Sequence, residues 1–125
     1  MKVVIVGGGW AGSGAAMAAK NAGADEVVVL ERTDLLLGTG LVGGIMRNNG
    51  RFTAAEENIA LGADELFEIT DRLSTHRNID FPGHRHASFY DVALVEPEVR
   101  RLLIKLGVEL HMMTRVVDVE LAPVQ

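Results

Sequence analysis

Val3-Val4-Ile5-Val6-Gly7-Gly8-Gly9-Trp10-Ala11-Gly12 reads as strand, glycine turn and helix start. The four β-branched residues form a continuous run that fits a strand buried on both faces, as in a parallel sheet. Gly7, Gly9 and Gly12 fill the three glycine positions of G-x-G-x-x-G. The first permits the tight turn, the second lets phosphates approach the backbone, and the third lets the helix pack close to the strand. The N-terminus of the helix offers unpaired N–H groups and a partial positive charge to an anion, with Trp10, Ala11 and Gly12 as candidate cofactor-binding residues. Trp10 reads most simply as a cap over the turn.

Outward from this stretch, a helix is expected from about Gly12 to Ala22. Gly12, Ala15, Ala16 and Ala19 would give it a flat face, and Gly23 would stop it. Val27 to Leu30 is a second buried strand ending at Glu31. Glu31 lies 19 positions after Gly12, where a carboxylate accepts hydrogen bonds from both hydroxyls of a ribose. It would also repel a 2′-phosphate, which disfavours NADP. A lone glycine motif is a weak signal, but here the strand, helix, packing alanines and acidic residue stand in the right order. The competing reading is a glycine-rich turn in a doubly wound sheet with an empty site.

Eleven of the 14 glycines fall within the first fifty residues. The second cluster, Gly38-Thr39-Gly40-Leu41-Val42-Gly43-Gly44, suggests backbone passing close to something flat or anionic, with a flexible loop as the alternative. A long helix is then expected from about Ala54 to Leu73. It would be opened by the capping box Thr53-Ala54-Ala55-Glu56, with Ile59, Ala63, Leu66 and Leu73 as its buried stripe. Its acidic residues read as a solvated face or a partner surface.

Residues 74–90 hold His76, His84 and His86 with Phe81, Phe89 and Tyr90. The spacing matches no metal motif. A connection or subunit contact is the first reading, and a substrate- or flavin-facing loop the second. Pro97 suits the first turn of a helix, with Val99, Leu102, Leu103 and Leu106 as its stripe and Gly107 as its stop. Val108 to His111 is a third parallel strand, and the alternation from Val116 to Leu121 reads as a half-exposed strand opening an antiparallel segment.

Composition sets the outer limits. A chain of 125 residues, 48% hydrophobic, is expected to form one α/β domain: a Rossmann-like parallel sheet with flanking helices. There is no apolar run of the roughly 18 residues a membrane span needs. The apolar stretch at the start is too short to be expected to form a signal-peptide core. The absence of cysteine excludes disulfides and thiolate metal sites, and fits a cytoplasmic protein. A net charge of −5 argues against general nucleic-acid binding.

Taken together, the sequence resembles the N-terminal part of FAD-dependent oxidoreductases with a glutathione-reductase-type Rossmann domain. Within that group it looks most like the flavoprotein dehydrogenases related to fumarate reductase and the amino-acid oxidases. The resemblance covers nearly the whole chain. Its most specific part is Gly7-x-Gly9-x-x-Gly12-x-x-x-Ala16, then Gly23, then Glu31-Arg32. It implies FAD as cofactor. The turn from Gly7 to Gly12 would hold the pyrophosphate, Glu31 the adenosine ribose, and Arg32 would lie beside the adenine. Gly38, Thr39, Gly40, Gly43 and Gly44 would run beside the pyrophosphate and the isoalloxazine ring. Val116, within Thr114-Arg115-Val116, would meet the adenine through its backbone.

Family members continue into a substrate domain and return to a Gly-Asp strand, whereas this chain stops at Gln125. The expectation is therefore an incomplete Rossmann domain, as a subunit of a split flavoprotein, a fragment, or a fold that has lost turnover. An uncovered sheet would favour a homo- or hetero-oligomer with a chain that supplies the substrate domain. No catalytic residue is assigned; His84 and His86 are the least poor candidates, because an imidazole ordinarily changes charge near neutral pH. Two other functions fit the same residues: an NAD-binding module, and a non-catalytic scaffold with Trp10, Phe89 and Tyr90 at an interface.

Overall fold

The computed structural model describes residues 1–40, 47–49, 54–77 and 87–121. Strand β1 (Lys2–Val6), helix α1 (Trp10–Asn21) and strand β2 (Glu26–Leu30) form the opening unit. The two strands are parallel, in the register Val3↔Val27 and Ile5↔Val29. Strand β6 (Val108–His111) adds in parallel on the far side of β2, so the described sheet runs β1-β2-β6. The architecture is therefore the α/β fold expected, a partial Rossmann-like sheet flanked by helices.

The register sorts the side chains into two faces, because successive residues of a strand point to opposite sides. Val3, Val27 and Val108 share one row, with Ile5, Val29 and Leu110 in the next. These rows pack into the core with α1 and helix α4 (Val92–Lys105). The other face carries Val4, Val28 and Glu109, then Val6, Leu30 and His111. Val4 and Val6 remain 52% and 66% exposed on it. The expectation of a first strand buried on both faces is thus corrected. Among the described residues β1 is an edge strand, and β2 is the strand with Val27, Val28 and Val29 all buried. A continuous valine run does not report which side of a sheet receives the helices.

Helix α1 begins at Trp10, just before the expected Gly12, and is stopped as expected by Gly23, with φ +86°. Its inner face is Ser13, Gly14, Ala16 and Met17, whereas Ala15 is exposed. The Ser13 hydroxyl donates to the Gly8 carbonyl at 3.1 Å, tying the helix back onto the turn.

The single helix expected from Ala54 to Leu73 is broken in two. Helix α2 (Ala55–Asn58) runs into a π-turn at Ile59–Ala63, and helix α3 (Asp64–Arg72) follows. The break is at Gly62, whose φ of +94° leaves the helical region. Its carbonyl accepts from Asn21 Nδ2 at 2.9 Å, so the kink is braced against α1. Thr53, the proposed cap, lies outside the described residues. Helix α4 also departs from expectation. It starts at Val92, where the Asp91 carboxylate caps the Ala93 N–H at 2.8 Å, and carries Pro97 inside rather than at its first turn. Proline there forgoes one helical hydrogen bond and the helix continues through it.

A second sheet, with no counterpart in the sequence reading, runs β3-β5-β4 antiparallel, from β3 (Arg47–Asn49), β4 (Ser74–Arg77) and β5 (Ala87–Tyr90). The segment 114–121 forms no strand. Val117 and Leu121 lie 88% and 90% exposed, so its alternating pattern has no sheet to join among the described residues. Met17, Leu36, Leu37, Val95, Val99 and Leu103 are fully buried and join α1 and α4 to the segment after β2. Each such side chain contributes about 1.5–3 kcal/mol by leaving water. Among the described residues, no helix is long and apolar enough to cross a membrane.

Candidate functional site

The glycine turn sits where β1 delivers the chain to α1. Gly7 takes φ +97°, and its N–H donates to the Leu30 carbonyl at 2.8 Å, which fastens the turn to β2. Gly12 lies so close to the turn that a Cβ there would meet the Gly7 carbonyl oxygen at 1.8 Å. Gly7 and Gly9 face the other way: a Cβ on either would find nothing within 4 Å. This open side adjoins the first turn of α1, where the N–H groups of Trp10, Ala11 and Gly12 have no acceptor within the helix. Open backbone next to a helix N-terminus is a cradle suited to a pyrophosphate. Trp10 is half-buried and Ala11 exposed.

Glu31 has a structural role beyond the one its spacing suggested. It is buried, and its carboxylate accepts from the Gly8 N–H at 2.7 Å, the Thr33 N–H at 2.8 Å and the Thr33 hydroxyl at 2.9 Å. Burial pushes this carboxyl up, but the donors from Thr33 and Gly8, helped by the Arg32 charge, outweigh it and hold it below the ordinary carboxylate range. A carboxylate has about four acceptor positions, so one stays open after these three bonds. Arg32 itself is exposed.

The chain after β2 folds back over the turn. The Leu37 N–H donates to the Gly8 carbonyl at 2.9 Å, and Leu36 packs where a Cβ on Gly8 would sit. Gly38 backs onto the Gly9 Cα, and Gly38–Gly40 is a short 3₁₀ turn with Thr39 exposed. The first part of the second glycine cluster is therefore beside the first. Gly43 and Gly44 lie outside the described residues. The 111–114 segment tracks the end of β2: Glu31 N–H donates to the His111 carbonyl and Thr114 N–H to the Glu31 carbonyl, both at 2.8 Å. Val116, half-buried, thus follows two residues after a backbone contact with Glu31. His76 is exposed on β4 against the Phe89 ring, far in sequence from the turn, and His84 and His86 lie outside the described residues. Tyr90, expected at an exposed interface, is instead buried against Trp10.

The sequence reading passed over Glu96. It is buried on α4, accepts from the Leu36 N–H at 3.2 Å and from Arg100 Nε at 2.9 Å, while Arg100 Nη2 donates to the Asp34 carbonyl at 2.7 Å. The pair clamps residues 34–36, which carry Leu37 and Gly38 onto the turn. Asp91, standing before the apolar run of α4, was the signal that would have put Glu96 inside a helix. In a double-mutant cycle of Glu96→Gln and Arg100→Met, urea unfolding is expected to show coupling of about 1 kcal/mol, discounted because Arg100 is partly exposed. Additive effects would rule the clamp out.

The α/β fold, the glycine cradle and the acidic residue at the end of β2 define a dinucleotide-binding protein of the Rossmann type. The family model described as FAD dependent oxidoreductase matches residues 2–124. The chain belongs to that family, whose cofactor is FAD and whose members are oxidoreductases. A search of the curated proteins finds no match.

Proposed function

We propose that this chain holds the ADP part of FAD while the reactive flavin end is completed by further polypeptide, a partner chain or additional sequence. The observation that carries this reading is the open backbone of Gly7 and Gly9 beside the unpaired N–H groups of α1. The residues fit the cofactor: Gly7, Gly9, Trp10, Ala11 and Gly12 would hold the pyrophosphate. Glu31 would give its remaining acceptor position to the adenosine ribose. Arg32 and Val116 would flank the adenine, and Gly38, Thr39, Gly40, Gly43 and Gly44 would line the path towards the flavin. FAD supplies hydride chemistry at its ring when bound, and the protein's part is to bind and orient it. The uncovered Val4 and Val6 face supports completion by another chain, since exposed apolar sheet surface marks an interface.

Calorimetric titration of the purified chain with FAD and with NADH is the test. Saturable FAD binding with little response to NADH is expected. Tight NADH binding with no FAD binding would replace this reading with the nicotinamide module.

A further inference from the structure

Among the described residues, the Tyr90 hydroxyl is the one buried side-chain polar atom without a hydrogen-bond partner. Tyr90 is the last residue of β5 and only 3% exposed. Its ring meets the Trp10 ring edge-on, with centroids 5.5 Å apart and planes at 62°. Trp10 is the first residue of α1, so β5 brings the phenol ring against the side chain that opens the helix following the glycine cradle. A buried hydroxyl left unpaired is costly, and folded proteins keep few of them without a reason. Burial also pushes the phenol upward in pKa, so near neutral pH it is an uncharged donor.

We propose that Tyr90 is a cofactor-binding residue whose hydroxyl donates to a phosphate oxygen of the dinucleotide held at the start of α1. The proposal rests on the FAD reading above. A phenol O–H lacking an acceptor and a pyrophosphate rich in acceptors are complementary, and the unpaired N–H groups of Trp10 and Ala11 draw the phosphates to this helix end. In this proposal the half-buried Trp10 indole, which packs against the Tyr90 ring, shifts to open the buried hydroxyl. Trp10 is the only tryptophan of the chain, so its emission reports the event.

The test compares the unsubstituted chain with Tyr90→Phe in titrations with FAD and with ADP, followed by calorimetry and Trp10 emission, alongside thermal unfolding of the free chains. The expected result is a rise of about tenfold in both dissociation constants, the scale of a lost hydrogen bond to a charged group. The free Tyr90→Phe chain should melt at or above the temperature of the unsubstituted one, because it loses only an unpaired hydroxyl. Equal affinities for FAD and ADP in the two chains would overturn the proposal and leave the FAD reading standing. Weaker FAD binding with unchanged ADP binding would overturn the phosphate contact. A lower melting temperature for free Tyr90→Phe would show a partner for the hydroxyl in the free chain and overturn it as well. Failure of the unsubstituted chain to bind FAD would remove both readings.

Discussion

Gly12→Ala is expected to destabilise the chain by at least about 3 kcal/mol, the upper end of the cost of overpacking. The added methyl would lie 1.8 Å from the Gly7 carbonyl oxygen and 3.3 Å from Ile5 Cγ2. The obstacle is backbone, not the end of a flexible side chain. It cannot retreat easily, because the Gly7 N–H is bonded to Leu30. Gly9→Ala is the matched control. Gly9 has φ −65°, an ordinary value, and open space around its missing side chain. Its stability should change by less than about 1 kcal/mol, while FAD affinity falls by about tenfold or more as the methyl fills the cradle. Urea unfolding and FAD titration of both variants separate the two roles. Equal stability losses at the two positions would refute the assignment of Gly12 to packing and Gly9 to the ligand.

The second large effect concerns Glu31. Glu31→Gln places an amide NH₂ where the carboxylate now accepts from backbone N–H groups, so at least one buried donor loses its acceptor. A loss of about 2 kcal/mol at neutral pH follows. The sign of the pH dependence comes from the lowered folded-state pKa. The unfolded chain binds the proton first as pH falls from the ordinary value of 4.5. The stabilisation is therefore complete above that value and disappears as pH drops through the lower folded value. Urea unfolding from pH 7 to pH 3 should bring the curves of the two proteins together at the acid end. Parallel curves would mean the carboxylate charge contributes nothing.

What the sequence disclosed and what it hid divide along physical lines. β1, β2, β6 and α1 were legible because their signals are local: valine runs, small residues at helical spacing, and glycine stops at Gly23 and Gly107. The place of Glu31 at the end of β2 was legible from its distance to Gly12. Its bonds to Gly8 and Thr33 were not, since spacing reports where a carboxylate stands and not which donors it meets. The antiparallel sheet was hidden because Arg47-Asn48-Asn49 and Ser74-Thr75-His76-Arg77 are short and polar, and their pairing with β5 is a tertiary contact. Gly62 was visible in the sequence, but the φ of +94° that breaks the helix there is set only by the fold. In the opposite direction, Val116 to Leu121 carried a convincing strand pattern that found no neighbour among the described residues. Pattern records what a segment would bury if a sheet were there to receive it. The Glu96 clamp joins residues 60 positions apart, and no local rule reaches that far.

The three donors already gathered on Glu31 have a consequence for affinity. The Gly8 N–H and the strap at Thr33 are held by bonds internal to the fold, which tie the turn in place without a ligand. The entropy lost in ordering it belongs to folding and is not charged again to association. On the FAD reading proposed above, a dinucleotide would meet a turn already tied in place by these bonds, and less of its binding free energy would go into shaping that loop.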